Sequence, residues 1–384
     1  MTQLFINGKF TAQPITGTQR SAHHLMRALD AQLDNFNNIF ITRPLLLLPP
    51  GAPKPELHHI DTAFVGRFRL PLHLWEQCLL PLAARGGVLL NLAGSAPLST
   101  PCQVCMIHDA AVFDSPQAYT AAFGHWYRSL FRLLARRQTT MLTVSAFSQR
   151  RLASQLGIAA NRFGIVPNGG EHFQAIEPDL TILARHGLEF ERYLLAVGSE
   201  NPNKNLAALR AAFGRLRPGQ GVRLVLVGGS DPRVFASKNQ RIFDVDAGIV
   251  RTGRLDDAAL KALYQHAAGL VFPSLYEGFG LPPLEAMSCG CPVAASNAAS
   301  IPEVCGDAAL YFDPTSIDQI AAAMQKLIDD RALRERLRRA GASQLLHFSW
   351  PLAAAALLSQ LQAHLPSRHR EPRRHGAAAR GVLQ

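Results

Sequence analysis

Short apolar runs rich in valine, isoleucine and leucine alternate along this chain with longer segments whose apolar residues recur at helical spacing. This alternation is typical of parallel sheets that are covered by helices on both faces. The pattern occurs twice, and a chain of 384 residues is long enough for two domains of ordinary size. The sequence therefore predicts an α/β fold with two doubly wound, Rossmann-like domains that face a central cleft, where ligands bind beyond the carboxyl ends of the strands.

The predicted strands form two sets of six, separated by a turn at Asn168-Gly169-Gly170. The first set covers residues 4–7, 39–42, 88–92, 104–108, 141–145 and 164–167, and the second covers residues 193–198, 223–228, 249–253, 269–273, 292–296 and 309–312. Helices are predicted over residues 18–33, 115–137, 203–216, 256–267 and 316–330. In the second of these helices, Ser115 and Pro116 are expected to be the cap and the first helical residue.

This order of elements sets the domain limits. We predict an N-terminal domain over residues 1–175 and a C-terminal domain over residues 176–349. A last helix over residues 350–364 is expected to pack back on the first domain, and the basic tail 365–384 is expected to be disordered.

The formal net charge of +11 is concentrated in the first half of the chain and in the tail, where five arginines stand against one glutamate. Such a basic excess favours an anionic partner, namely a membrane surface, a lipid phosphate or a nucleic acid. Nucleic acid is disfavoured, because the chain lacks basic and aromatic residues interleaved along a continuous surface. The chain has no apolar run long enough for a membrane-spanning helix and no signal-like start, so we expect a cytoplasmic protein.

The six cysteines agree with that location. Cys102 and Cys105 form a lone Cys-x-x-Cys pair, but no second pair lies at zinc spacing. The thiols are therefore interpreted as structural residues.

The most informative segment runs from Phe272 to Pro292. Its loop carries two glycines between a strand and a helix that starts with two prolines. Glycines let a backbone approach a ligand closely, and helix N-termini bind anions such as phosphate. Glu277 in the loop and Glu285 in the helix can accept hydrogen bonds from hydroxyl groups. A ligand with hydroxyls at both ends of a diphosphate is a sugar nucleotide, and this is the ligand that the segment predicts.

Glu277 and Glu285, with seven residues between them, resemble the Glu-x7-Glu motif of retaining glycosyltransferases with the GT-B fold, in particular glycosyltransferase family 4, also called group 1. The resemblance continues through residues 286–293 and Pro302-Glu303 and covers nearly the whole chain. It implies that Glu285 binds the ribose of the donor and that Glu277 binds hydroxyls of the transferred sugar. It also implies backbone contacts between the donor and Gly278, Phe279, Gly280 and Leu281.

Further segments are similar to the same family. The loop of Gly198 and Lys204 resembles the family's diphosphate-binding loop, so Lys204 is expected to neutralise the diphosphate. Gly17 resembles a glycine loop that faces the donor phosphates, and Arg20 after it either adds positive charge or faces solvent. His108, in a His-Asp pair, is expected to contact the transferred sugar or the acceptor. The resemblance implies further donor contacts for Gly228, Thr252, Gly253 and Arg254.

The resemblance implies transfer of a hexose with retention at the anomeric carbon, and the catalytic residues that it implies are Glu277, Lys204 and His108. The first domain is expected to hold the acceptor and the second the nucleotide sugar. Because Lys204 can take the place of a cation and no Asp-x-Asp signature follows a strand, we expect no metal and no cofactor. Relatives with similar sequence often use GDP-mannose in surface-polysaccharide assembly. We therefore expect mannosyl transfer to a glycan or a polyprenyl-linked acceptor.

A helix that includes residues 125–137 mixes aromatic residues, leucines and arginines, and two interpretations stay open. It either docks on the inner face of an anionic membrane, or it is an ordinary helix with a buried apolar face and solvated arginines.

Two other functions compete with glycosyl transfer. A nicotinamide-dependent oxidoreductase would need a Gly-x-Gly-x-x-Gly set, but Pro283 stands where the third glycine would be. A sugar-nucleotide isomerase or a phosphorylase is disfavoured by the presence of both Glu277 and Glu285.

Overall fold

The structure is a computed structural model that describes residues 3–33, 42–137, 139–216, 221–229 and 248–364. Two parallel sheets form its centre, one in each half of the chain. The basic tail, residues 365–384, lies outside the described residues.

Seven strands form the N-terminal sheet: β1 (Leu4–Asn7), β2 (Leu45–Leu48), β3 (Asp61–Phe64), β4 (Val88–Asn91), β5 (Gln103–Met106), β6 (Thr140–Thr143) and β7 (Phe163–Ile165). Their spatial order is β3-β2-β1-β4-β5-β6-β7, and every neighbouring pair is parallel. The helices of this half are α1 (Gly17–Leu33), α2 (Leu72–Leu74), α3 (Leu80–Ala83), α4 (Ala111–Asp114), α5 (Ala121–Arg136) and α6 (Ala146–Leu156). A π-helical turn, Trp75–Leu79, joins α2 to α3.

Six strands form the C-terminal sheet: β8 (Tyr193–Val197), β9 (Arg223–Val227), β10 (Ile249–Gly253), β11 (Gly269–Phe272), β12 (Val293–Ser296) and β13 (Ala309–Phe312). They are parallel in the order β10-β9-β8-β11-β12-β13. The helices are α7 (Thr181–His186), α8 (Leu206–Phe213), α9 (Asp257–His266), α10 (Leu281–Ser288), α11 (Ile301–Cys305), α12 (Ile317–Asp329), α13 (Arg331–Leu345) and α14 (Trp350–His364).

Both sheets reverse their strand order once, between β1 and β4 and between β8 and β11. These two reversals are topological switch points, where loops leave the sheet in opposite directions and open a crevice for a ligand. The central strands β4, β11 and β12 are buried at every position, as expected where helices cover both faces. The predicted fold class, two doubly wound α/β domains, is confirmed.

Local sequence signals fix several helix ends. The Ser145 hydroxyl accepts a hydrogen bond from the amide of Ser148 and caps α6, which ends at Gly157 in the left-handed conformation. Asp256 caps α9 by accepting from the amide of Ala259 at 2.9 Å. Side-chain acceptors of this kind satisfy amides that have no partner inside the helix.

The predicted start of the helix over residues 115–137 is wrong. The side chain of Ser115 makes no cap bond, and Pro116–Ala118 forms only a short 3₁₀ turn. Tyr119 and Thr120 are extended, with ψ of 155° and 148°, so the long helix α5 begins at Ala121. An extended pair cannot continue a helix, whatever the apolar spacing around it.

The first half of the chain has two strands that were not predicted. The run of leucines between Pro44 and Pro49 forms β2, and the partly exposed edge strand β3 pairs with it. Of the predicted strand 39–42, residues 39–41 lie outside the described residues, and Thr42 is not in a strand.

The end of the described chain returns to the first half. The first sheet ends at Ile165, the second begins at Tyr193, and α14 follows the C-terminal sheet. Helix α14 packs against α1, and its residues Ala353, Leu357 and Leu361 are fully buried.

Helix α5 has the buried apolar face that the second of the two interpretations for residues 125–137 requires, while contact of its arginines with a membrane stays a prediction. Leu130, Phe131 and Leu134 are buried in a core cluster of the N-terminal half, while Arg132 and Arg136 are exposed. Its main apolar face is therefore used inside the protein. Across the described residues, no helix combines the length and apolarity needed to cross a membrane.

Candidate functional site

Lys204 and Glu277 meet at the switch point of the C-terminal sheet, beyond the ends of β8 and β11. The Nζ atom of Lys204 lies 2.6 Å from Oε1 of Glu277. Both side chains are mostly buried, so solvent screens their attraction less than at an open surface. Nζ also lies 5.3 Å from the centroid of the Phe272 ring. A phosphate and a sugar hydroxyl can therefore find a cation and a carboxylate side by side.

Lys204 belongs to a 3₁₀ turn, Pro202–Lys204, and not to the long helix predicted over residues 203–216. Asn205 interrupts the helix with a left-handed φ of 56°. Its side-chain amide donates to the carbonyls of Pro273 and Pro314 at 3.2 and 2.7 Å. Since Pro273 opens the loop that carries Glu277, these bonds hold the two loops together.

Three of the predicted donor-binding glycines lie at neighbouring strand ends. The amide of Gly228 donates to the carbonyl of Gly253 at 2.9 Å. Gly228 has a φ of +144°, and a Cβ built on it would lie 1.9 Å from the carbonyl oxygen of Gly198, so only glycine fits. Thr252 and the exposed Arg254 flank Gly253 at the same edge.

Glu285 lies on α10 and is only 3% exposed. Its Oε2 accepts a hydrogen bond from the Tyr264 hydroxyl at 3.1 Å. Its Oε1 lies 3.3 Å from Nε2 of His172 and 3.7 Å from Nε of Arg20. Burial by itself raises the pKa of Glu285, but His172, Arg20 and Tyr264 outweigh it and hold the pKa below its ordinary value. The carboxylate is ionised and both of its oxygens face protein groups. Ribose binding by Glu285 stays a prediction, in which ribose hydroxyls share or replace these partners.

His172 is oriented toward Glu285 by the indole of Trp350. The indole Nε1 donates to Nδ1 of His172 at 3.3 Å, so the ring proton lies on Nε2, the atom that faces Glu285. Trp350 is itself held in place, because its backbone amide donates to Oε1 of Glu171 at 2.6 Å.

Arg20 joins the two halves of the molecule and does not face solvent. It lies on α1, one turn after the exposed Gly17, and Nη2 is 2.6 Å from Oδ1 of Asp257 on α9. Burial lowers the pKa of Arg20, but the carboxylates of Glu285 and Asp257 raise it by more. The net pKa is therefore above its ordinary value, and the guanidinium is charged. Of the two interpretations for Arg20, the structure supports the added positive charge.

His108 and Asp109 follow β5 on the opposite side of the cleft. Nε2 of His108 is 2.9 Å from the carbonyl oxygen of Leu92. Because a carbonyl only accepts, Nε2 carries the proton and Nδ1 keeps a lone pair. Burial lowers the pKa of His108, which keeps the ring neutral. The pKa of Asp109 is raised to about 6, mainly by burial. The hydrogen bond from the Ala111 amide lowers this pKa, and the charge of Glu277 raises it.

Gly278 brings this pair against the C-terminal loop. A Cβ built on Gly278 would lie 2.6 Å from the carbonyl oxygen of His108 and 2.7 Å from Cβ of Asp109. The Gly278 carbonyl accepts hydrogen bonds from the hydroxyls of Ser145 and Ser148 at 2.6 and 2.9 Å. Only glycine permits so close an approach of the two halves. The three residues with predicted catalytic roles therefore converge on one region between the domains.

The start of α10 offers fewer amides than an ordinary helix. Leu281 is followed by Pro282 and Pro283, which have no N–H group. Any phosphate bound here would rely on the amides that precede them. These are the predicted backbone contacts Gly278, Phe279, Gly280 and Leu281, all of which are buried in this structure.

The described residues include no group of three or more His, Cys, Asp or Glu side chains arranged to hold a metal ion. Positive charge in the cleft comes from Lys204 and Arg20.

Three residues of the site were not predicted from the sequence, namely His172, Tyr264 and Asp257. Tyr264 and Asp257 lie on α9, which carries no motif, and only folding brings them to α10 and α1. His172 follows the Gly169-Gly170 turn, which was interpreted as a domain boundary.

Comparison with known proteins agrees with this geometry. Residues 181–344 match the family model described as glycosyl transferases group 1. O-antigen chain mannosyltransferase B from Escherichia coli is 32% identical over 255 residues, covering 64% of this chain and 66% of that protein. Serotype-specific mannosyltransferase WbdA, also from Escherichia coli, is 29% identical over 270 residues, covering 64% of this chain and 32% of that protein. The chain thus spans less than two thirds of the length of either relative.

A solved structure extends the fold comparison to nearly the whole chain. Sucrose-phosphate synthase from Thermosynechococcus elongatus has a TM-score of 0.72 and 21% identity, covering 95% of this chain and 99% of that one. At this level of identity the likeness concerns the fold. Together with the family match over residues 181–344, it leads to one conclusion: this part of the chain resembles the group 1 glycosyltransferases, and the chain has the GT-B fold.

Proposed function

We propose that this protein transfers a mannosyl residue from GDP-mannose, with retention and without a metal ion, to a glycan acceptor in surface-polysaccharide assembly. The observation that carries the proposal is the contact between Lys204 and Glu277 at a switch point, facing His108 and Asp109 across the cleft. The mannosyltransferase relatives support the choice of sugar.

The leaving diphosphate needs positive charge as it departs. Lys204 can supply it, because Glu277 and the Phe272 ring keep its charged ammonium group at the end of β11 until the donor binds. The amides of the loop before α10 add dipoles at the same point. As the donor enters, we expect Lys204 to turn toward the phosphates, which leaves the Glu277 carboxylate for hydroxyls of the sugar.

The acceptor attacks from the face that the diphosphate leaves. The bond between the anomeric carbon and the phosphate oxygen breaks, and a bond to the acceptor oxygen forms. The acceptor proton passes to the departing phosphate, so no protein nucleophile is required. Neutral His108 has a lone pair on Nδ1 that can accept a hydrogen bond from a sugar hydroxyl.

We propose that Lys204 supplies the charge that a metal ion provides in other transferases. With GDP-mannose as donor and an α-linked mannobiose as acceptor, an excess of EDTA is expected to leave the rate unchanged. Lys204→Ala is expected to lower kcat roughly 100- to 1000-fold, the usual effect of losing one preorganised charge partner. Lys326→Ala, on the exposed face of α12, is the matched control and should keep the wild-type kcat.

Three results of this assay would contradict the proposal: loss of activity with EDTA, wild-type kcat in Lys204→Ala, or a product with inverted configuration in its NMR spectrum.

We also propose a lipid-linked acceptor and an electrostatic contact with anionic membrane through the exposed arginines Arg132, Arg136 and Arg137. Because the main apolar face of α5 is buried, charge must dominate this contact. Sedimentation with vesicles should show binding to phosphatidylglycerol that disappears at high salt. Equal binding to neutral phosphatidylcholine would contradict it.

A further inference from the structure

A hollow of about 350 Å³ opens on the N-terminal domain, and none of the residues assigned above lines it. We call it the aromatic hollow. It lies between the helical segment that contains α2 and the first turns of α5, and its lining consists of His73, Leu74, Gln77, Phe123, Trp126 and Tyr127. Trp126 is the most exposed tryptophan of the chain, at 38%, whereas Trp75 and Trp350 are buried.

The aromatic hollow is tied to the switch point of the N-terminal sheet. The Nζ atom of Lys9 lies 3.2 Å from Nδ1 of His73 and 2.7 Å from Oε2 of Glu76. Oε1 of Glu76 accepts from the side-chain amide of Asn7, which also donates to Asn91 at 3.0 Å. Asn7 ends β1 and Asn91 ends β4, the two strands between which the strand order reverses. In doubly wound sheets this is where ligands bind.

This network also sets the chemistry of His73. The Lys9 ammonium can only donate, so Nδ1 of His73 accepts and Nε2 carries the ring proton. Burial lowers the pKa of His73, and the charge of Lys9 lowers it further. The charge of Glu76 raises this pKa but does not offset the other two effects. His73 is therefore a neutral hydrogen-bond donor among aromatic rings.

A row of rings extends from the hollow to the segment before α5. Tyr127 and Phe123, which line the hollow, have centroids 4.5 Å apart. Phe123 stacks on Tyr119 at 5.4 Å with an angle of 7° between the ring planes. The row thus runs from the hollow to Tyr119, in the extended segment that precedes α5.

We propose that the aromatic hollow is a binding site for a sugar unit of the acceptor glycan, some distance from the hydroxyl that receives the new sugar. This inference rests on the proposed glycosyl transfer and assigns its acceptor side. The carbon-bound hydrogens of one pyranose face would pack on the Trp126 ring, and hydroxyls at its edge would accept from Nε2 of His73.

The aromatic rings of the hollow can pack against the apolar face of a sugar. Trp, Tyr and His side chains combine an apolar face with a polar edge, as a pyranose does. A charged network, formed by Lys9 and Glu76, also lies against His73.

Acceptor kinetics test the assignment. With GDP-mannose saturating, Trp126→Ala is expected to raise KM for an α-linked mannotriose about ten-fold, with kcat and the KM for GDP-mannose unchanged. Trp126→Phe, which keeps a ring, should recover part of the loss. Leu133→Ala is the matched control, because Leu133 lies on the same helix with the same 38% exposure but does not line the hollow. Equal effects of Trp126→Ala and Leu133→Ala would overturn the proposal.

Tryptophan fluorescence gives a second readout that needs no turnover. Mannotriose should change the emission of the wild-type protein in a saturable way, and His73→Ala should weaken this binding. No saturable change, or a change only with prenol-containing vesicles, would contradict the sugar site. If the fluorescence responds to mannotriose but no transfer from GDP-mannose occurs, the donor assignment fails and the sugar site stands.

Discussion

At the scale of single residues, Asp109 shows how the cleft perturbs its side chains. Its Oδ1 accepts from the amide of Ala111, which favours the charged form, but burial and the nearby Glu277 charge raise the pKa from 3.8 to about 6. The folded protein therefore binds a proton more tightly at this position than the unfolded chain. Stability from this group is fully present below about pH 4 and is lost as the pH rises through about 6.

Asp109→Asn removes this pH dependence and keeps an oxygen that can accept from the Ala111 amide. We expect the variant to be more stable than the wild type at pH 7, on the order of 1–3 kcal/mol, and nearly equal to it at pH 4. Urea unfolding at the two pH values measures the difference. A stability difference between the two proteins that does not change with pH would show that Asp109 is not perturbed by burial.

At the scale of elements, one carboxylate joins a helix of each domain. Glu303 lies on α11 of the C-terminal half, and its Oε1 and Oε2 accept from the amides of Ala146 and Phe147 at 2.6 and 2.9 Å. These amides open α6 of the N-terminal half, where a negative charge is favoured by the helix dipole. Besides the local cap by Ser145, α6 thus has a second acceptor that is supplied from the other domain.

Glu303→Ala is expected to lower the free energy of unfolding by about 1 kcal/mol, the usual effect of losing a helix cap. It should also widen the cleft, seen as a larger radius of gyration in X-ray scattering. Glu335→Ala serves as the control, because Glu335 pairs only within α13, with Arg338 at 2.9 Å, among the described contacts. If both variants keep the wild-type radius, Glu303 does not hold the domains together.

Elements with strong local signals could be predicted well. The limits predicted for residues 4–7, 249–253 and 309–312 equal those of β1, β10 and β13. Strand β3 could not be predicted, because its sequence Asp-Thr-Ala-Phe has no clear alternation and only its pairing with β2 makes it a strand. The start of α5 was missed because the chain is extended at Tyr119, whose ring stacks on Phe123.

Some residues of the site could likewise be predicted from the sequence, and others could not. Glu277 and Lys204 could each be singled out from a loop motif, although they are 73 residues apart. The ion cluster around Glu285 could not, since the contacts of Tyr264 and His172 exist only after the helices pack. The sequence patterns describe loops at strand ends well, whereas contacts across the cleft depend on how the two domains meet.

At the scale of the whole molecule, two similar sheets present their switch points to one cleft. The C-terminal switch point holds Lys204 and Glu277, and the N-terminal one is linked through Lys9 to the aromatic hollow. Contacts of Gly278 with Ser145 and of Arg20 with Asp257 hold the two halves together. A donor on one sheet and an acceptor on the other would then meet between Glu277 and His108.

The central claim, that a nucleoside diphosphate sugar binds at the Lys204–Glu277 pair, is tested most directly by thermal unfolding with GDP, UDP, ADP or NAD and no added metal. At about 100 times its dissociation constant, GDP should stabilise the protein by about 2.7 kcal/mol. Lys204→Ala should lose most of this stabilisation, while Lys326→Ala should keep it. Stabilisation by NAD alone, or by none of the three nucleoside diphosphates, would contradict the account.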